Sequence, residues 1–237
     1  MNIQDYYRQI AQKTKEAIEK SIPFESDLAK IYTFTEELLL WHEILKDREE
    51  SSIIKNIASE LQFSSVSLTS GLYRNAFVSL RIVLELSIAT VFFSANELEF
   101  REWKSCKYDI KWGKLVRRKD EQSDSEGRDI LSKRWAEAFF PELEIYIDLY
   151  RGKAIETYRD LSQFVHGNSQ TWSSEIEISF SEEQFKKWMK NFDQIVEIVS
   201  FCFCLRFLKC IESSQREKLR SSLTEFSRKI PEIQNLF

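Results

Sequence analysis

Apolar side chains recur at three- and four-residue spacings along most of this chain, the period of helices packed on one side. Over 27–47, Leu28, Ile31, Leu38 and Leu45 predict an amphipathic helix. A polar connection at 47–52 leads into a long helical stretch over 53–94. There Tyr73, Phe77, Leu80, Leu84, Ser87 and Val91 share a stripe, and Gly71 marks either a close helix contact or a break between two helices. Residues 119–127 include no aliphatic side chain and predict an exposed loop. Helix resumes near Asp129 and should stop or kink at Pro141, which lacks the amide donor. Gly152 is expected to end the next short helix, and 153–166 to form a compact helix closed by Gly167. The period-two pattern at 175–180 reads as a short strand or extended chain. Phe185, Trp188, Phe192, Ile195, Val199 and Cys202 carry a strong helix over 182–209. Leu219, Leu223 and Phe226 carry a last one over 215–229.

Composition narrows this to a fold class. Only 5 Gly and 3 Pro occur among 237 residues, too few for the turns of a β-sandwich or barrel. The expectation is an all-α fold: a bundle of four to five core helices with shorter additional helices. It should form one domain over 1–237, with 100–152 as an insertion or elaboration. The net charge of −4 excludes a protein that coats nucleic acid over its whole surface, so any such contact needs a local basic patch. The longest apolar stretch, 76–95, carries Arg81 and Glu85 and therefore reads as a buried helix. The N-terminus lacks the basic and apolar regions of a signal peptide, so the protein is expected to be soluble and cytoplasmic, without membrane contact. Cys106, Cys202, Cys204 and Cys210 form no CxxC pair and read as buried free thiols. No metal site and no cofactor are expected, and no Gly-rich phosphate loop suggests an ATPase.

The chemistry concentrates in 153–166. Ile155, Tyr158, Leu161 and Val165 form an apolar stripe expected to face the bundle. Arg159, Ser162, Gln163 and His166 form a second, polar stripe at i, i+3, i+4 and i+7. Seven residues turn a helix by about 700°, so Arg159 and His166 point the same way, about 10.5 Å apart along the axis. That gap is too long for both to act on one phosphate bond. A two-fold dimer with this helix antiparallel to its copy brings Arg159 of one chain to His166 of the other. Two imidazoles can then serve as acid and base for attack by a ribose 2′-hydroxyl, and arginine can hold the phosphate. Asp160, about 100° further round, could orient an arginine or a histidine across the dimer.

Arg159-Asp160 followed by His166 on a helix resembles the Rx4–6H signature of the HEPN superfamily. The upstream run 71–85, with Gly71, Tyr73, Arg74, Arg81 and Glu85, is similar to that family's second helix. The resemblance covers roughly 27–209 and implies a helical bundle, a symmetric dimer and metal-independent RNA cleavage leaving a 2′,3′-cyclic phosphate. Many members act as toxins or antiphage effectors, so it also implies an antitoxin or defence-complex partner. Arg159, His166 and Asp160 take the catalytic positions, with Ser162, Gln163, Asn168, Arg81 and Glu85 in support.

Other features admit two readings. Arg81 and Glu85, four apart on an apolar helix, are a packing ion pair or a support for the site. Arg101, Lys104, Lys107, Lys111, Lys114, Arg117, Arg118 and Lys119 make 100–119 strongly basic, with Trp103, Tyr108 and Trp112 interleaved. That pattern suits single-stranded RNA, with Lys104, Lys107, Lys111, Lys114, Arg117 and Arg118 on phosphates, and equally suits a solvated helical face. His42 reads as structural. The alternative to a nuclease is a catalytically silent helical module that binds a protein or nucleotide partner.

Overall fold

The computed structural model describes residues 2–117, 129–166 and 178–237. The polar stretch 119–127, Arg118, Gly167, Asn168 and the first half of the alternating segment 175–180 lie outside the described residues. The fold is all-α, and no strand occurs among the described residues. Five long helices form the core: α2 (Glu25–Ile44), α3 (Ser51–Thr69), α4 (Tyr73–Phe93), α8 (Ile147–Val165) and α9 (Glu182–Phe207). Around them lie α1 (Ile3–Ser21), α5 (Glu97–Lys104), α6 (Trp112–Leu115), α7 (Lys133–Phe139), α10 (Ser213–Ser227) and α11 (Pro231–Gln234). α4 is central and packs against α3, α8 and α9, while α2 covers α3 and α10 covers α2.

The expected stripe of α4 is the buried one: Phe77, Leu80, Leu84, Ser87 and Val91 are fully enclosed, and Tyr73 sits at its edge. α4 is long and apolar enough to cross a membrane, yet 67% of its most apolar window is buried within the bundle. Gly71 separates α3 from α4 and also makes a close contact. Its φ of +75° is the left-handed conformation that glycine adopts without strain. The Gly71 amide bonds to Leu68 O and the Leu72 amide to Ser67 O, satisfying the last carbonyls of α3. A Cβ on Gly71 would lie 2.6 Å from Ser179 O, so the glycine lets the chain entering α9 lie against this turn. The Ser181 amide then donates to the Tyr73 hydroxyl at 2.7 Å, and Ser181 Oγ caps α9 by accepting from Gln184 N. Trp188, wholly buried, ties α9 to both neighbours by donating to Ser64 Oγ and Ala76 O, each at 3.2 Å.

Several boundaries differ from the sequence expectation. Gly152 does not end a helix; α8 runs through it from Ile147 to Val165. The glycine is exposed, and burial of Ile147, Tyr150 and Ala154 on the opposite side outweighs its low helix propensity. The buried face of α8 is also rotated from the expected one: it comprises Ile147, Tyr150, Ala154, Thr157, Leu161 and Phe164, whereas Ile155, Tyr158 and Val165 are only half-buried. Aromatic stacking sets this rotation, with Tyr150 on Phe201 and Phe164 on Phe77, each at 3.9 Å between centroids. α1 was not expected; Asn2 caps it, and only Ala17 and Ser21 are buried. Pro141 acts as expected, since α7 stops at Phe139 and a 3₁₀ turn, Pro141–Tyr146, follows. Residues 178–180 have no regular structure, with Phe180 against Phe24. Cys202 and Cys204 are buried free thiols in α9, but Cys106 and Cys210 are exposed because each lies in the turn that follows a helix. Phe100, Leu115, Ile130, Trp135 and Leu143, all within 100–152, belong to the same hydrophobic core as the long helices.

One buried acid has a measurable consequence. Glu37 of α2 is enclosed, with Ser200 Oγ donating to it over a long 3.5 Å. Burial pushes its carboxyl up to about 8. The folded state therefore keeps a proton that the unfolded chain releases above its ordinary carboxylate range. Stability should fall between pH 5 and 8, by at most about 1.4 kcal/mol per pH unit, and level off above that. Glu37→Gln should flatten this slope and raise the melting temperature at pH 8. Parallel melting curves for both proteins across the window check it.

Candidate functional site

Helix α8 carries the polar stripe on its outward side. Arg159 and His166 are exposed, and Ser162 and Gln163 are half-buried between them. His166 is the first residue past the helix, and its amide still bonds to Ser162 O at 3.1 Å. The helix is continuous from Arg159 to Val165, so the axial separation of about 10.5 Å and the shared direction hold. The end that carries His166 is fastened from α4. Arg74 Nε donates to Phe164 O at 3.1 Å, and Phe77 stacks on Phe164 with the rings 10° from parallel. Arg74 lies in the run 71–85, but its bond to the end of α8 joins residues too far apart in the chain for spacing to reveal.

Beside Arg159 is a cleft of about 420 Å³ between α6 and α8. Trp112, Gly113, Val116, Ile155, Tyr158, Arg159, Ser162 and Gln163 line it. Tyr158, expected to face the bundle, instead forms the cleft wall. Trp112 lies flat on it, at 3.9 Å between centroids and 6° between planes. Arg81 secures Tyr158 from α4, donating to its hydroxyl at 2.6 Å with the guanidinium carbon 4.7 Å from the ring centroid. Arg81 also pairs with Glu85 at 3.1 Å, so the ion pair and the contact to the site helix coexist. Burial, and then the Glu85 charge, push the Tyr158 hydroxyl up, so it stays protonated at neutral pH. Ser162 Oγ donates to Tyr158 O at 2.6 Å, and Gln163 Nε2 reaches Arg159 O at 3.4 Å.

Asp160 is exposed but does not join this cleft. It lines a groove of about 260 Å³ on the other flank of α8, with Glu156, Thr157, Lys187, Lys190, Asn191 and Gln194. Within one chain, therefore, Arg159, Ser162 and Gln163 come together with Arg81 behind them, while Asp160 is turned toward α9. Asn168 lies outside the described residues. Among the described residues, no group of three His, Cys, Asp or Glu side chains is gathered to hold a metal ion. His42 Nδ1 lies 3.0 Å from Ser51 O, a contact between α2 and the start of α3.

The basic segment divides in two. Trp103 packs on Phe93 at 5.4 Å, and Tyr108 meets the same ring edge-on at 6.4 Å, so both serve the fold. Arg101 pairs with Glu97 at 2.6 Å, and Lys104 lies 3.8 Å from Glu49. Lys107, Lys111 and Lys114 are exposed, and the Lys114 ammonium lies 5.0 Å from the centroid of the Tyr108 ring. Arg117 is half-buried, and Arg118 lies outside the described residues. Comparisons of this chain with protein-family models, curated proteins and solved structures found no match.

Proposed function

We propose that this protein is a metal-independent endoribonuclease of HEPN type that works as a two-fold dimer, in the manner of a toxin or antiphage effector in the cytoplasm. The observation that carries the reading is the exposure of Arg159 and His166 on one face of α8, with Arg159 at the rim of an aromatic cleft. Two copies of α8 packed antiparallel bring each arginine to the other chain's histidine. The imidazole of such a pair removes the proton from the 2′-hydroxyl, which attacks the phosphorus, and the imidazolium so formed protonates the departing 5′-oxygen, leaving a 2′,3′-cyclic phosphate and a 5′-hydroxyl. Arg159 balances the charge that builds on the phosphoryl oxygens.

The direct experiment incubates purified protein with single-stranded RNA in excess chelator and identifies the product ends, alongside sedimentation to establish the oligomeric state. Cleavage with cyclic-phosphate ends by a dimer is the expected result. Full activity from a monomer would remove the composite site. An intact RNA that is nevertheless bound would favour the catalytically silent binding module.

The exposed lysines of the basic segment should act on affinity rather than chemistry. Replacing Lys107, Lys111 and Lys114 together by Ala should weaken RNA binding and reduce the salt slope of log K by roughly two to three, since about one counterion is released per phosphate contact. Titrations at several salt concentrations measure it. An unchanged slope would assign the segment to another task.

A further inference from the structure

We propose that the α6–α8 cleft seats one unpaired nucleobase against Trp112, with the adjoining phosphate on Arg159, so that the cleft selects single-stranded over double-stranded RNA. The identity of the polymer rests on the nuclease reading above. The unit recognised, a planar base joined to a phosphate, follows from the cleft itself.

A volume of about 420 Å³ lies within the range of small-ligand sites. Its walls are suited to a flat, mostly apolar ring. Val116 and Ile155 are aliphatic, and Gly113 leaves space, since a Cβ there would meet nothing within 4 Å. Trp112 is half-buried and lines the cleft, so part of the indole is available to a ligand while Tyr158 covers the rest. The aromatic pair is held before any ligand arrives, because Arg81 fixes Tyr158 through its hydroxyl. A platform already in place loses little side-chain entropy on binding.

The polar groups lie where a nucleotide needs them. Arg159 presents a guanidinium fork to a phosphate. Gln163 also lines the cleft, with its Nε2 reaching Arg159 O at 3.4 Å. Ser162 Oγ spends its proton on Tyr158 O and so offers lone pairs to an amino group. No carboxylate is among the described residues that line the cleft, and the exposed Lys111 precedes Trp112 in the chain. The groove on the other flank of α8 has no aromatic wall and sets Glu156 and Asp160 beside Lys187 and Lys190, so the two depressions differ in the ligand they suit. A base within a duplex is stacked on both faces and paired along its edge. It cannot enter such a cleft without leaving the helix, whereas single-strand binders stack unpaired bases on aromatic side chains.

The test measures binding separately from cleavage. A fluorescent 2′-O-methyl oligonucleotide, which lacks the attacking hydroxyl, is titrated against the 237-residue protein and its variants. Trp112→Ala should weaken binding roughly five- to one-hundredfold, the range found for losing one base–aromatic stack, and Trp112→Phe should recover most of it. Gly113→Leu is the second variant: it adds a bulky side chain at the cleft lining and removes nothing from the core, so it keeps the question open to measurement even if Trp112→Ala unfolds. It should weaken binding to a similar extent. A duplex of the same sequence should compete poorly. Displacement by free AMP or UMP would show that one base and one phosphate suffice, and displacement by longer strands alone would show that neighbouring phosphates on the lysines are also needed; either keeps the base in the cleft. Unchanged affinity in both Trp112→Ala and Gly113→Leu overturns the proposal, even if the wild type cuts RNA. Conversely, cleft-dependent binding with no cleavage by the wild type leaves the base site standing and removes the nuclease reading.

Discussion

His166→Ala should abolish RNA cleavage and leave the melting temperature close to that of the parent: this is the largest functional effect expected of any single substitution. The imidazole is exposed at the end of α8, so its removal opens no cavity in the core. General acid–base transfer contributes on the order of 10²–10⁴-fold to rate, and in a symmetric dimer both imidazoles disappear together. Arg159→Ala should lose on the order of 10²–10³-fold, the cost of removing one group that stabilises the developing oxyanion. Arg159 is likewise exposed, and the fold should survive. Mixing the two variants separates a composite site from a single-chain one. A dimer with Arg159→Ala in one subunit and His166→Ala in the other retains one intact Arg–His pair if each site draws on both chains, and none if each site lies within one chain. Recovered cleavage in the mixture supports the antiparallel arrangement. A well-folded His166→Ala protein that cuts RNA at the parental rate would end the catalytic reading.

Phe77→Ala should produce the largest loss of stability near the site, on the order of 3–5 kcal/mol, the usual cost of emptying a buried aromatic position. Phe77 is fully enclosed in α4, and its ring stacks on Phe164 of α8 at 3.9 Å. The substitution removes apolar contact from the central helix and the stack that holds the end of α8 beneath His166. Urea unfolding should show a lower midpoint at a similar slope, the signature of a stability change without a change in the surface exposed. Phe77→Leu retains most of the volume and should cost much less. Because the same stack fixes the direction in which α8 ends, Phe77→Ala should also lower cleavage per folded molecule, by less than His166→Ala does. An unchanged urea midpoint would mean that the surrounding helices collapse into the space.

The course of each long helix was readable because its cause is local. The stripe Phe77–Leu80–Leu84–Ser87–Val91 repeats at the helical period, and its burial follows from that period alone. Pro141 stops a helix wherever it stands, because the missing amide and the ring clash belong to the residue itself. Gly71 could be marked as a break or a contact, but only the position of Ser179 O shows that it is both. Gly152 misled because a glycine ends a helix only when the chain turns there, and the packing of Tyr150 on Phe201 carries α8 through it. The inward face of α8 also differs from the one that the spacing of 153–166 predicts. Its sequence offers two apolar stripes, Ile155–Tyr158–Leu161–Val165 and Tyr150–Ala154–Leu161–Phe164, and the contacts of the second with α4 and α9 settle the choice.

The sequence by itself determined that this chain is a helical bundle and that Arg159 and His166 share a helix face. Both follow from hydrophobic period and from the fixed rise and turn of the α-helix, which act between near neighbours. Only the tertiary structure decided that Tyr158 walls a cleft, that Trp112 rather than Trp103 or Tyr108 stands at it, that Arg81 braces it, and that Asp160 is turned toward α9. Each of these joins residues distant in the chain, or depends on a few tens of degrees of helix rotation. Such rotations are set by which large side chains interlock with neighbouring helices, and no spacing along a single helix encodes them.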